Sequence, residues 1–279
     1  MKKSAIQFSK VRLPAVAGQF YPRGPHELRY MVADFLRNTK PDSAAAPKAV
    51  IAPHAGYLFS GPITASACAR FASARADIQR VVMIGPSHHV AVDGLAASSA
   101  DAFETPLGLV PVDTDAVRRI CSLPQVSLLD EAHAREHSLE VLLPFLQIAL
   151  DDFKIVPLVT GSATDLQVAE VIAALWGGPE TRFVISSDLS HYLEYSEARA
   201  LDLATSRAIE ELRPEEILES QACGQIPIRG LLHAAREHGL RARTMDLRNS
   251  GDTAGPRSEV VGYGAFVFEE KASDLCQRN

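Results

Sequence analysis

Residues 81–90 read VVMIGPSHHV: a run of apolar residues breaks at Gly-Pro and is followed by two adjacent imidazoles, His88 and His89. Imidazole binds first-row transition metals and carries protons near neutral pH. Two more apolar runs end in the same way. KAVIAP (48–53) leads into His54, and RFVISSD (182–188) delivers Asp188 and then His191. One loop histidine is ordinarily solvated or hydrogen-bonded as a structural residue. Three at one edge of one sheet can converge on a single ion. Side chains of neighbours in an extended loop point to opposite sides, so only one of the pair at 88 and 89 can face a shared site. The reading places His88 there and leaves His89 to a supporting or structural role.

Two other stretches bear on the same chemistry. In EHSLEVLLPFLQ (136–147), Ser138 is a potential N-cap, and Pro144 would kink the apolar helix that follows. His137 would then enter the pocket at a helix N-terminus, where the neutral imidazole is favoured over the cation. The alternative is a buried helix with a polar start. In ACGQIPIRGLL (222–232), Cys223 precedes an apolar helix, a position that lowers a thiol pKa. Its alternative is a small buried hydrophobe, the reading that fits Cys68. Cys121 and Cys276 have no supporting context, and no CxxC pair suggests a zinc ribbon or a disulfide framework.

The elements that must position these residues alternate. Strands are expected at 48–53, 80–86, 94–100, 154–161, 182–188, 242–248 and 260–269, and helices at 25–38, 61–74, 114–121, 138–150, 164–175, 196–212 and 226–238. Thr164 is placed to cap one helix and Gly239 to end another. Such alternation predicts an α/β fold, with a mostly parallel central sheet and helices on both faces. The last two strands have no helix between them, so the sheet is expected to be mixed. Sites in open sheets of this kind form beyond the carboxyl ends of the strands, where the histidines fall. The Pro- and Ala-rich segment 39–48 is too short for an interdomain tether, and residues 1–279 read as a single domain.

Composition narrows the function. The chain has 28 Lys and Arg against 34 Asp and Glu, a net charge of −6 that argues against nucleic-acid binding. No apolar run is long enough to span a membrane. The start, MKKSAIQFSKVRLPAV, is too polar for a signal peptide, so a cytoplasmic location is expected. No GxGxxG follows a strand and no P-loop occurs, which gives no reason to expect NAD, flavin or nucleotide.

Six stretches in order, PAVAGQFYP (14–22), APHAGYLFSG (52–61), IGPSHH (84–89), EHSLEVLLPFL (136–146), SSDLSHY (186–192) and CGQIPIRGLL (223–232), resemble the Memo family. That family is similar in fold to class III extradiol ring-cleaving dioxygenases. The resemblance implies metal ligands at His54, His88 and Cys223, a base at His191 with Asp188 beside it, and a further active-site histidine at His137. In the dioxygenases the third ligand is a glutamate; here a cysteine stands in its place. A thiolate keeps the ligand charge but softens the site, so that Fe(II) remains the first expectation and copper or zinc becomes more competitive.

Three functions follow from this. The first is an iron-dependent, dioxygenase-like oxidoreductase acting on an unidentified small molecule. The second is a non-catalytic binding or adaptor protein on the same fold. The third is a zinc hydrolase. Memo-type proteins of microbes are also associated with a radical S-adenosylmethionine partner in the AmmeMemoRadiSam system, which the resemblance extends to this chain as an expectation.

Overall fold

The computed structural model describes residues 8–40 and 44–270. Cys276, the first seven residues and positions 41–43 of the Pro- and Ala-rich segment lie outside the described residues. The described chain runs β1 (Val11–Arg12), α1 (Pro25–Arg37), β2 (Ala49–Ala52), α2 (Tyr57–Cys68), β3 (Arg80–Pro86), β4 (Leu95–Ala97), β5 (Ala102–Thr105), β6 (Gly108–Pro111), α3 (Thr114–Ile120), β7 (Val126–Leu128), α4 (Asp130–Ala134), α5 (Leu143–Ala149), β8 (Lys154–Thr160), α6 (Asp165–Leu175), β9 (Thr181–Ser186), β10 (His191–Leu193), α7 (Tyr195–Glu210), α8 (Gln225–Glu237), β11 (Leu240–Asn249) and β12 (Val260–Glu270).

Four of the apolar runs make the centre of the sheet, in the order β2-β9-β3-β8 with every neighbour parallel. All residues of β2 and β9 are buried, and in β3 and β8 only the first escapes. Burial at consecutive positions requires cover on both faces, because successive side chains point to opposite sides. Helix α2 packs on β2 and β12 with α1 and α5 beside it, whereas α8 packs on β3 and β9 with α6. The fold is therefore the expected α/β arrangement.

Its edges are antiparallel. β12 pairs with β2 on one side and with β11 and β10 on the other, so the last two long strands form the antiparallel pair that a missing helix implies. β4 runs antiparallel to β8 and parallel to β7, a second mixed edge that the apolar pattern alone does not reveal. A separate sheet of β1, β5 and β6 was not expected. Its strands have two to four residues each, too few to show a period.

Two helices differ from expectation at prolines. The helix expected over 61–74 starts at Tyr57 and ends at Cys68, followed by a 3-10 segment, Ala69–Ala74. Pro62 is inside it but forgoes only the bond to the Leu58 carbonyl. Gly61 is needed there, because a Cβ would come within 2.5 Å of the Phe35 ring of α1. The helix expected over 138–150 is a 3-10 turn, Glu140–Leu142, followed by α5. Pro144 sits in the first turn of α5, where no N–H is required, so it begins a helix instead of kinking one.

The two helix-end readings stand. Thr164 accepts from the Gln167 N–H, and Gln167 reciprocates with the Thr164 N–H at 2.9 Å, a capping box at the start of α6. Gly239 follows α8 with φ of +66°, the left-handed conformation that glycine adopts at no steric cost. Among the described residues no helix is long and apolar enough to cross a membrane. Replacing Thr164 by alanine removes one end of the capping box. Urea denaturation of T164A should show a loss of about 1 kcal/mol with an unchanged m-value.

Candidate metal centre

The carboxyl ends of β2, β3 and β9 open onto a cleft of about 1110 Å³. His54 follows β2, His88 follows β3 and Asp188 follows β9, so the sheet brings the three loops to one edge. The loop before α8 reaches the same edge through Gly224. A Cβ on that glycine would lie 2.7 Å from the Ser186 carbonyl oxygen at the end of β9. Only glycine lets Cys223 approach so closely.

His54 Nε2 stands 3.4 Å from Cys223 Sγ. His54, His88 and Cys223 each offer one donor atom, and these atoms lie within 4.8 Å of one another. Donors bound to one ion at about 2.0–2.3 Å are themselves about 3–4 Å apart. The group is thus near the size of a coordination sphere.

Hydrogen bonds fix which nitrogen each ring presents. The Ser186 hydroxyl donates to the Ser138 carbonyl and lies 2.7 Å from His54 Nδ1. With its hydrogen so used, Ser186 Oγ can only accept from the ring. The proton of His54 is therefore on Nδ1, and the Nε2 lone pair faces the sulfur. Glu136 does the same for His88, taking the Nδ1–H at 2.8 Å and the backbone N–H at 2.6 Å. A metal-binding imidazole is oriented by such partners on its far nitrogen.

Glu136 also accepts the backbone N–H groups of His137 and Ser138, at 2.9 and 2.8 Å. It holds the place expected of Ser138, whose hydroxyl instead donates to the Pro86 carbonyl. Burial alone would raise the Glu136 carboxyl. The hydrogen bonds from the His88 ring, the His88 N–H and the Ser138 N–H outweigh that and hold it well below the usual carboxylate range.

His137 lies in the cleft, its ring 4.6 Å from that of His88 and nearly parallel to it, with Phe20 packed on it at 4.8 Å. Burial lowers its pKa to about 4, so it is neutral at pH 7 as expected. The cause differs from the helix-end effect, since α5 begins only at Leu143. His54 is also held neutral, first by burial and then by repulsion from His88 and His137.

Asp188, expected beside His191, bonds the loop of His54 instead. Its Oδ1 accepts the His54 backbone N–H at 2.8 Å, and burial pushes the carboxyl up to about 7. His191 stands across the cleft at the start of β10, with its pKa lowered mainly by burial. An irregularity between His191 and Leu193 turns Tyr192 outward at φ of +57°. Cys223 departs from expectation as well. Burial outweighs proximity to a helix start and pushes its thiol up to about 12, with the Asp188 charge adding to the rise.

His89 is exposed, with its ring 6.5 Å from that of His88, and does not line the cleft. Cys68 is fully buried in α2, and Cys121 is half-buried at the end of α3; neither lines the cleft. Tyr57 and Tyr21 are core residues that donate to the Val141 carbonyl and the Glu140 carboxylate, each at 2.6 Å. The sequence reading missed Glu136, Ser186 and Phe20 as parts of the centre. It also passed over Glu140, a carboxylate inside an apolar run. Such a residue must find partners when buried, which is a usable signal.

Asp188 makes stability depend on pH. Its folded pKa is about 7 against an ordinary 3.8, so its contribution is present in acid and is lost as pH rises through 7. In the metal-free protein, Asp188→Asn should remove this fall. The difference in unfolding free energy between the two proteins should shift in favour of the variant from pH 4 to pH 8, as measured by denaturant titrations at each pH.

The geometry can be set beside known proteins. The family model for Memo-like protein matches residues 12–267. A MEMO1 family protein of Aquifex aeolicus is 37% identical over 272 residues, covering 93% of this chain and 99% of that protein. One from Archaeoglobus fulgidus is 38% identical, covering 92% and 99%. Among solved structures, an uncharacterized protein of Escherichia coli K12, JW3007, aligns over 77% of this chain and 98% of its own, with 15% identity and a TM-score of 0.47. On the family match and the two relatives, this chain belongs to the Memo-like protein family.

Proposed function

We propose that this protein is a metal-dependent oxidoreductase whose ion, iron(II) in the first instance, is held by His54, His88 and Cys223. The observation that carries the reading is the 3.4 Å approach of Cys223 Sγ to a His54 nitrogen whose lone pair is directed at it. His88 is oriented in the same sense by Glu136. When bound, a ferrous ion with three protein ligands offers open positions for substrate oxygens and O₂.

The residues around it divide the remaining work. His191, neutral at pH 7, is the base, and its free ring nitrogen takes a proton from a substrate hydroxyl. His137, also neutral, hydrogen-bonds a substrate oxygen from its place against His88. Asp188, poised near neutrality, is a second group on the cleft wall that changes charge at working pH. Phe20, Ile226 and Tyr263 supply apolar surface to the cleft lining.

A zinc hydrolase is the second reading, favoured by the thiolate in the ligand set. Oxygen separates the two. Uptake of O₂ by iron-loaded protein with a catechol supports the first, and activity that survives strict anaerobiosis supports the second. Metal retention without either leaves a binding protein.

Two outcomes test the centre directly. Cys223 is a thiol until an ion displaces its proton, so apparent metal affinity should rise about tenfold per pH unit between pH 7.5 and 9. A chelator competition series that stays flat contradicts sulfur ligation. His54→Ala and Cys223→Ala should each reduce bound metal to below one-tenth of the wild-type stoichiometry by elemental analysis. His191→Gln should retain the metal and lose about 10²–10⁴-fold in turnover.

A further inference from the structure

The two hydrogen bonds that orient His54 and His88 start from one short turn. Glu136 holds His88 Nδ1, and the Ser138 carbonyl accepts from Ser186, which in turn accepts from His54 Nδ1. Residues 136–138 therefore set both rings, although the rings themselves belong to loops after different strands.

That turn is pinned from behind. The Arg12 guanidinium, almost fully buried, donates Nε to the His133 carbonyl at 3.0 Å and Nη2 to the Glu136 carbonyl at 2.5 Å. Its Nη1 pairs with the Glu140 carboxylate. Glu140 is fully buried and also accepts from the Ala15 N–H at 2.7 Å, the Val16 N–H at 3.0 Å and the Tyr21 hydroxyl at 2.6 Å. The segment Pro14–Pro22 thus wraps around this one carboxylate, and Phe20 from the same segment packs on His137. Glu140 touches neither His54 nor His88.

We propose that Glu140 is the positioning residue for the metal centre: by neutralising Arg12 and anchoring residues 12–21, it holds the 136–138 turn in the one register that keeps the proton of both His54 and His88 on Nδ1. Its purpose rests on the metal reading above, but its measurement does not. Without the carboxylate, Arg12 is a buried cation with no counter-charge, and the carbonyls it grips are free to move. Glu136 and the Ser138 carbonyl then lose their aim together. The two rings also meet edge to face at 5.2 Å, but the hydrogen bonds that orient them both run back to the turn.

The test is carried out on the full-length, metal-free protein by long-range proton–nitrogen NMR of the histidine rings, which distinguishes the two neutral tautomers. The wild type should show Nδ1–H at His54 and at His88. Ser186→Ala should disturb His54 alone, and Glu136→Gln His88 alone. Glu140→Gln should disturb both rings together and reduce metal affinity at least tenfold in chelator competition, in line with the usual cost of losing an outer hydrogen-bond partner. If that variant does not fold, Tyr21→Phe removes one of the four bonds to Glu140 and gives the same paired readout. Leu28→Ala, a core change in α1, serves as the control for lost stability and should leave both tautomers unaltered.

A paired change at both rings in the Glu140 or Tyr21 variant, absent from the Leu28 control, supports the proposal. A change at one ring, at neither, or equally in the control overturns it. Failure of wild-type protein to bind any metal would overturn the metal reading and leave the tautomer result to stand by itself.

Discussion

The buried pair of Arg12 and Glu140 is the constraint around which the centre is organised. A buried ion pair returns little net stability, because two desolvated charges consume most of what their attraction provides. Its consequence here is geometric. A guanidinium presents its donors in a fixed plane, and Arg12 uses that plane to hold two backbone carbonyls and one carboxylate at set positions. The first residues of the described chain and a turn more than a hundred residues later become one rigid unit. The small sheet of β1, β5 and β6 continues that unit along its flank.

On the open side of the unit the cleft collects imidazoles that cannot all be charged. The rings of His54, His88 and His137 lie 4.6 to 5.5 Å apart. Burial holds His54 and His137 in the neutral form, and neighbouring imidazoles add repulsion. Lone pairs are therefore presented where protons would otherwise stand. Glu136 supplies a fixed negative charge behind them, and Cys223 supplies another only by losing a proton. A ligand set of neutral imidazoles and a thiol gains charge only when an entering cation displaces the thiol proton.

Legibility followed burial. β2, β3, β8 and β9 were readable because central parallel strands are buried on both faces and so appear as unbroken apolar runs. Thr164 and Gly239 were readable because caps depend on one or two residues and their own backbone. The two- to four-residue strands of the small sheet were not, since they exist only by pairing with distant segments. Pro144 was misread for a related reason. A proline breaks a helix or begins one depending on where the first turn falls, and the 3-10 turn before it decides that. Cys223 was misjudged in its acidity because proximity to a helix start is visible in sequence and burial is not.

The amino-acid sequence by itself determined the order of the long strands and helices, and hence that His54, His88 and Asp188 emerge at one edge of a sheet. Alternating elements with right-handed crossovers leave little choice in that matter. It also placed a sulfur ahead of the α8 helix. Tertiary structure alone decided that the sulfur reaches His54, which nitrogen each imidazole presents, and that Asp188 grips backbone instead of His191. These depend on hydrogen bonds between residues 48 to 169 positions apart, whose geometry exists only once the chain has closed on itself.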